Sequence, residues 1–165
     1  MPLVYLILGG NKGNRTEMIS TAIDLVTSHI GQKMAISGLY ESESWGFKSE
    51  PFINQVIKIE TPLSPAKILL LSQEIENKLG RVRKSEGYEA RTIDIDILYY
   101  DLMVINTPDL IVPHPKIAVR RFVLMPLTEI APDLKDPVTG ITVMEMLANC
   151  PDGSLVKLIA KKDKG

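Results

Sequence analysis

Hydrophobic residues recur along the chain with two periods, one typical of strands and one typical of helices. An uninterrupted apolar run from Leu3 to Leu8 predicts a buried strand, and three later segments alternate apolar and polar residues. The predicted strands are 3–8, 33–42, 52–60 and 93–100, and the predicted helices are 15–30 and 64–79. This β-α-β-β-α-β order predicts an α+β fold of the ferredoxin-like type, with a mainly antiparallel sheet covered by helices on one face.

Further elements are predicted after residue 100. They are a hairpin and short strand at 101–105, an irregular loop at 108–115, an apolar helix at 120–130, a helix from Thr142 to Asn149 and a strand from Val156. Thr142 is a helix N-cap with Glu145 at the capping-box spacing. No repeat or linker divides the chain, so residues 1–165 are expected to form a single domain.

Two carboxylates in the last strand of the predicted core are the first candidate for chemistry. Side chains at i and i+2 of a strand point to the same face, so Asp94 and Asp96 lie together, about 6.5–7 Å apart, opposite Ile93, Ile95 and Ile97. Such a pair can bind one hard divalent cation or two. The alternative is an acidic face that simply points to water.

A cluster of cations just before this strand favours the metal hypothesis. Arg81, Arg83, Lys84 and Arg91 lie within eleven residues and are followed at once by the acidic pair. Arginine binds phosphate oxygens bidentately, and Mg²⁺ is usually held by one or two carboxylates together with substrate phosphates. The sequence therefore indicates a metal–phosphate site.

Two loops leave their roles open. The glycines at 9, 10 and 13 do not have the G-x-G-x-x-G spacing of a dinucleotide-binding turn, because position 8 is Leu8. They either let the backbone approach a ligand or form a tight turn. Trp45, in the loop between the second and third strands, either covers a planar ligand or packs into the core.

Composition narrows the class of protein. The chain has 165 residues, 45% of them hydrophobic and 24% charged, and a formal net charge of −1, which argues against a nucleic-acid binder. No apolar run reaches the roughly 20 residues that a membrane span needs. A single cysteine, Cys150, and an amino terminus unlike a signal peptide predict a cytoplasmic protein.

Five separated motifs occur along the chain: Arg91 to Ile97, Gly9-Gly10-Asn11, Gly80 to Arg83, Val112-Pro113-His114, and Arg121-Phe122 with Pro126-Leu127. They resemble the motifs of the 6-hydroxymethyl-7,8-dihydropterin pyrophosphokinase family, in which the first reads R-T-[LI]-D-[LI]-D-[IL]. The resemblance implies transfer of a pyrophosphoryl group from ATP to the pterin hydroxymethyl group, release of AMP, and two Mg²⁺ ions. It also implies small-molecule partners only, and we expect a monomer.

The resemblance assigns roles to individual residues. The implied catalytic residues are Arg83, Arg91, Asp94 and Asp96, of which Asp94 and Asp96 bind the metal. The implied ATP-binding residues are Gln73, Glu76, Arg83, Tyr88, Arg91, Ile97, His114 and Arg120. The implied pterin-binding residues are Ser44, Trp45, Gly46, Phe52, Asn54, Asp94 and Phe122. Without the resemblance, Gln73 and Glu76 are ordinary solvated neighbours on a helix.

The chain departs from the family pattern at a few positions. Tyr88-Glu89-Ala90 stands where Trp-Gly-Pro is frequent, Glu43-Ser44-Trp45 replaces a segment that often has two prolines, and Asp109 stands where some members have arginine. Phe52 replaces a common tyrosine and keeps the ring. Two other functions are considered: a D-x-D nucleotide-sugar transferase, and a ferredoxin-like module that binds a small ligand without chemistry.

Overall fold

The structure is a computed structural model that describes residues 1–11, 14–43, 51–80, 82–83, 89–90 and 93–161, with only the backbone at 82–83 and 89–90. The strands are β1 (Leu3–Gly10), β2 (Gln32–Ile36), β3 (Leu39–Ser42), β4 (Phe52–Glu60), β5 (Val82–Arg83), β6 (Glu89–Ala90), β7 (Asp94–Tyr100), β8 (Ile105–Asn106), β9 (Ile111–Val112) and β10 (Val156–Ala160). The helices are α1 (Arg15–His29), α2 (Pro65–Gly80), α3 (Arg121–Ile130) and α4 (Val143–Ala148), with a 3₁₀ turn at Ile117–Val119. Among the described residues, no helix is long and apolar enough to cross a membrane.

The main sheet has the strand order β10-β3-β4-β1-β7, and β2 also pairs with β4. Every pairing between its described strands is antiparallel. Strand β1 therefore lies inside the sheet, between β4, which precedes helix α2, and β7, which follows that helix. This arrangement confirms the α+β, ferredoxin-like fold that the β-α-β-β-α-β order predicts.

The predicted strand at 33–42 is wrong as a single element, because the structure divides it at Ser37 and Gly38. Ile36 pairs with Ile57 and Tyr40 pairs with Asn54, so four steps along this segment match three along β4. The extra residue turns Tyr40 to the face opposite Ile36. The Ser37 hydroxyl accepts a hydrogen bond from the Val56 amide at 2.9 Å, which satisfies the backbone at the break.

Helices cover both faces of the sheet, not one face only. Helices α1 and α2 pack on the first face over a core that includes Leu6, Leu8, Ile57, Ile95 and Ile97. Helices α3 and α4 pack on the second face over a core that includes Tyr5, Ile7, Val56, Leu98 and Tyr99. The C-terminal third of the chain therefore completes a three-layer arrangement, and β10 extends the sheet at one edge.

Strand β7 keeps the predicted alternation only in its first half. Ile93, Ile95 and Ile97 are each at most 5% exposed in the first-face core, as predicted. Leu6 then pairs with Ile97 while Tyr5 pairs with Tyr99. The residue between them is an extra one in the strand, a β-bulge, so two successive side chains point to the second face. The predicted loop at 108–115 also contains a short strand, β9, which pairs with β8.

Candidate functional site

A cleft of about 630 Å³ opens at the end of the second sheet face, beside the start of α3. Because α3 and α4 cover only part of this face, the ends of β1, β4 and β7 remain accessible there. The described residues that line the cleft are Ile7, Gly9, Asn11, Ser42, Glu43, Phe52, Asn54, Asp94, Asp96, Leu98, His114, Lys116, Val119, Arg120, Phe122, Val123 and Asp152.

Three adjacent strands place one functional row across the floor of the cleft. Asp94 pairs with Gly9, and Gly9 pairs with Asn54, so these residues are direct cross-strand neighbours. A Cβ at Gly9 would overlap Oδ1 of Asn54. Gly9 is therefore required neither by a turn nor by a phosphate loop, since it lies inside β1. Because Gly9 has no side chain, the Asn54 amide has room over β1, between β4 and β7.

Asp94 and Asp96 both line the cleft on the face opposite the buried isoleucines, which is the arrangement that the strand period predicts. In the described part of the chain, no group of three or more His, Cys, Asp and Glu side chains is placed to bind a metal. A pair of carboxylates fits Mg²⁺ in particular, because this ion keeps water and phosphate ligands beside one or two carboxylates. The donors present therefore suit a metal that arrives with a phosphate-bearing ligand.

The amide of Asn54 is the clearest sign that a polar ligand belongs in the cleft. Asn54 is 6% exposed, and its Nδ2 has no hydrogen-bond partner among the residues that the structure describes. A buried donor without a partner costs about 1–3 kcal/mol, so such groups usually have a purpose. A ligand with an acceptor atom at the floor of the cleft would remove this cost.

Two aromatic rings and one guanidinium form the walls of the cleft. Phe52 begins β4, and Phe122 lies in the first turn of α3, so the rings reach the cleft from different layers of the fold. The Arg120 guanidinium lies 5.6 Å from the centre of the Phe122 ring, a cation–π contact that orients both side chains. The cleft thus offers apolar surfaces for a planar group next to a fixed positive charge.

His114 presents a neutral hydrogen-bond donor to the cleft. Its Nδ1 accepts from the Lys116 amide at 3.1 Å, which places the ring proton on Nε2. Burial lowers the pKa of His114, and the positive charges of Arg120 and Lys116 lower it further, against the opposing effect of Asp96. The His114 amide also donates to the Leu98 carbonyl at 3.0 Å, so the histidine is held against the bulge in β7.

Three residues implied as ATP ligands are not among the described residues that line the cleft. Gln73 is exposed on α2, and the Ile97 side chain is buried in the first-face core. Glu76 is 8% exposed, and its Oε2 accepts from the Ile95 amide at 2.8 Å. The interpretation of Glu76 as a solvated residue is therefore wrong, since it binds the outer edge of β7.

Other predicted residues fall where the structure gives no side-chain position. Ser44, Trp45, Gly46, Tyr88 and Arg91 lie outside the described residues, as do Arg81 and Lys84 of the basic loop. Arg83 is described only as backbone in β5, where it pairs with Glu89. The alternatives for Trp45 stay open.

The structure adds residues that the sequence did not single out. Lys116 and Asp152 line the cleft. Lys116 lies two positions after His114, and Asp152 follows helix α4. Arg15 at the start of α1 contacts Glu41 at 3.5 Å and donates to the Pro51 carbonyl at 2.5 Å. These positions depend on contacts between distant parts of the chain, so no local motif marks them.

An α+β domain with carboxylates, a neutral donor, a guanidinium and two rings in one cleft has the composition of an enzyme that binds a planar ligand beside a phosphate-bearing one. The family model for 7,8-dihydro-6-hydroxymethylpterin-pyrophosphokinase (HPPK) matches residues 5–132. The chain belongs to this family.

Relatives support the same assignment. A Porphyromonas gingivalis 2-amino-4-hydroxy-6-hydroxymethyldihydropteridine pyrophosphokinase is 43% identical over 136 residues, covering 80% of this chain and 92% of that protein. The Bacillus subtilis protein of the same name is 37% identical over 140 residues, covering 84% and 83%. The solved Plasmodium falciparum HPPK-DHPS has a TM-score of 0.73 at 17% identity over 90% of this chain and 43% of that one, which supports the fold alone.

Proposed function

We propose that this protein transfers the pyrophosphoryl group of ATP to the hydroxymethyl group of 6-hydroxymethyl-7,8-dihydropterin, with release of AMP, as a step of folate biosynthesis. The observation that carries the proposal is the joint presence, in one cleft, of the unpartnered Asn54 amide, two rings and the Asp94–Asp96 pair. The amide and the two rings suit a polar heterocycle, and the pair of carboxylates suits a metal-bound polyphosphate.

The pterin is proposed to bind at the floor of the cleft. Phe52 and Phe122 offer faces between which a flat ring can stack, and Asn54 Nδ2 can donate to one of its acceptors. Asp94 lies in the same row, across Gly9 from Asn54, and by resemblance it binds both the pterin and a metal. By resemblance, Ser44, Trp45 and Gly46 complete the pterin site.

The triphosphate is proposed to bind along the side of the cleft formed by His114 and Arg120. Nε2–H of His114 and the Arg120 guanidinium are donors to phosphate oxygens. By resemblance, Arg83 and Arg91 stabilise the charge that spreads over the phosphates and the leaving AMP. The further ATP contacts proposed on the same basis are Gln73, Glu76, Tyr88 and Ile97.

Asp94 and Asp96 are the residues proposed to bind Mg²⁺, with two ions expected. When bound, the metal supplies charge neutralisation on the phosphates and makes an alcohol easier to deprotonate. The carboxylates keep their positions because β7 is hydrogen-bonded to β1 along one side and to Glu76 along the other. This rigidity suits a reaction that depends on positioning and electrostatics more than on covalent participation of the protein.

The proposed reaction is an in-line displacement at the β-phosphorus. A bond forms between the hydroxymethyl oxygen and the β-phosphorus, and the bond from that phosphorus to the oxygen bridging to the α-phosphate breaks. The bridging oxygen keeps the electron pair and leaves with AMP, and the hydroxyl proton is released. In this proposal the residues of the cleft walls hold the two substrates in the geometry that the displacement needs.

Phosphorus NMR of the protein with ATP, Mg²⁺ and the dihydropterin tests the proposal. AMP and a pterin diphosphate are the expected products. ADP would instead mean γ-phosphoryl transfer and would contradict the proposal. Binding of ATP and the dihydropterin without turnover would favour a non-catalytic module, and consumption of a nucleotide sugar would favour the D-x-D transferase. The single domain at 1–165, the monomeric state and the cytoplasmic location remain proposals of the same kind.

A further inference from the structure

Asp152 lies in the cleft although it is distant in sequence from the other cleft residues. It follows α4 and precedes β10, and it is outside the residues 5–132 that match the family model. It nevertheless lines the cleft together with Arg120 and Phe122. The C-terminal segment therefore contributes to the site.

The carboxylate of Asp152 caps helix α3 from outside the helix. Its Oδ2 accepts from the Arg121 amide at 3.0 Å, and Arg121 is the first residue of α3. Its Oδ1 accepts from the Ser154 amide at 2.9 Å, which fixes the carboxylate plane. Arg120 occupies the N-cap position and makes no side-chain capping bond within the described structure, so a residue from another segment satisfies one of the first amides of α3, which have no partner within the helix.

The capped amide lies between two residues of the cleft wall. Arg120 and Phe122 flank Arg121, and their side chains contact each other at 5.6 Å. The amides of Val123 and Leu124 both donate to the Arg120 carbonyl at 3.1 Å, so hydrogen bonds connect Arg120 to the rest of the first turn of α3. Fixing the Arg121 amide therefore fixes the direction of the guanidinium and of the ring.

The electrostatics agree with this geometry. Burial works to raise the pKa of Asp152, but hydrogen bonds from Ser154 and from the Arg121 amide, with the charge of Arg121, lower it overall. Asp152 is therefore ionised at neutral pH, and a negative charge at a helix N-terminus is favourable.

We propose that Asp152 is a positioning residue that orients Arg120 and Phe122 toward the two substrates. The proposal rests on the proposed function for the identity of those substrates. Because Arg120 lies on the proposed ATP side and Phe122 on the proposed pterin side, loss of the cap should weaken the binding of both substrates together. A residue that touches only one substrate would change only one KM.

Asp152→Ala tests the proposal against Thr142→Ala, a matched loss of a helix cap outside the cleft. Thr142 caps α4 by accepting from the Glu145 amide at 3.2 Å and does not line the described cleft. Both variants should lower Tm by about 2–4 °C. Asp152→Ala should also raise KM for ATP and for the dihydropterin about tenfold, whereas Thr142→Ala should leave both within about twofold. Equal KM values for the two variants would overturn the proposal.

Two further variants keep the test decisive if Asp152→Ala folds poorly. Asp152→Asn retains an acceptor for the Arg121 amide, so it should stay within about twofold of wild-type KM. Arg121→Pro removes the donor instead, and the extended backbone of Arg120 (φ −124°, ψ 106°) accommodates a following proline. Arg121→Pro should raise both KM values relative to Arg121→Ala. An Asn variant as impaired as Ala, or a harmless proline, would contradict the capping account.

Calorimetric binding of ATP and of the dihydropterin separates this inference from the proposed function. If wild-type protein binds both ligands without turnover, the proposed function fails while the cap is still tested by the two Kd values. Both Kd values should then rise about tenfold in Asp152→Ala, and unchanged Kd values would overturn the positioning role.

Discussion

The two faces of the main sheet are built from alternate residues of the same strands, and they differ in how completely helices cover them. The first face is mainly apolar under α1 and α2, with Leu6, Leu8 and Ile95 all buried, while the buried Gln55 side chain on this face donates to the Ser37 carbonyl. The second face is apolar only under α3 and α4, and beyond Ile7 it continues as the polar floor of the cleft. At the cleft end of the sheet, the stabilising core and the functional residues therefore lie on opposite faces of the same strands.

This division predicts that a step of one residue along β7 changes the kind of effect that a mutation has. Asp94 and Asp96 lie in the cleft, and Ile95 between them is 5% exposed in the first-face core. A carboxylate variant should lose activity and keep the fold, while an isoleucine variant should lose stability and keep the site.

The largest effect is expected for Asp94→Ala and Asp96→Ala. Each removes a proposed metal ligand, so turnover should fall about 10³-fold, equivalent to roughly 4 kcal/mol of lost transition-state stabilisation. The free energy of unfolding should change by about 1 kcal/mol or less. Steady-state kinetics and urea denaturation measure the two quantities. Near-normal turnover in either variant would show that the metal assignment is wrong.

The opposite result is expected for Ile95→Ala. Truncating a buried isoleucine leaves a cavity between α2 and the sheet, which should cost about 2–5 kcal/mol of unfolding free energy. Activity per folded molecule should stay within about threefold of wild type, because the side chain points away from the cleft. Active-site titration at low temperature provides the correction for unfolded protein. A loss of turnover comparable to that of the carboxylate variants would mean that the faces are not separable.

A smaller and more specific effect is expected for Gly9→Ala. The added methyl overlaps the Asn54 amide, so KM for the dihydropterin should rise about tenfold while KM for ATP changes little. The control is the same substitution in an Asn54→Ala background, which removes the overlap with the Asn54 amide and leaves a tight contact with the Ile53 carbonyl at 3.2 Å. In that background Gly9→Ala should raise KM for the dihydropterin by less than about twofold. A further rise of about tenfold would mean that the added methyl acts through β1 and not through Asn54.

The smallest effect concerns stability at alkaline pH. Burial, and then the hydrogen bond to Asp136 at 2.9 Å, raise the pKa of Tyr99 far above its ordinary value near 10. Because the pKa is higher in the folded state, the stabilisation is complete below pH 10 and is lost as pH rises above it. Tyr99→Phe should therefore flatten the decline of Tm above pH 10. Tyr100→Phe, whose tyrosine on the first face has a smaller upward pKa shift, should flatten it less.

Local periodicity was sufficient to predict the main strands, the helices and the placement of Asp94 and Asp96. These depend on two-residue and 3.6-residue repeats that neighbouring residues determine. The break at Gly38 and the bulge at Leu98 were not predicted, because an extra residue is recognised only against the partner strand. Glu76 was misjudged for the same reason: its partner is an edge amide of β7, nineteen residues away.

The site shows the same limit. The sequence left two explanations for the glycines after the first strand, and neither included Asn54, which the pairing of β1 with β4 places opposite Gly9. The family resemblance supplied roles for most of the remaining residues, because motif spacing carries information that periodicity does not. It did not extend to Asp152, whose position follows from the packing of the C-terminal segment against α3.

The late position of Asp152 in the chain has a consequence for biosynthesis. The first turn of α3 is translated before its cap, since Arg121 precedes Asp152 by 31 residues. At about 5–20 residues per second, translation of that interval takes roughly 2–6 s. During that time the nascent chain can build the first-face core while α3 lacks its cap. Full affinity for the two substrates should therefore develop only after Asp152 has been translated and has capped α3.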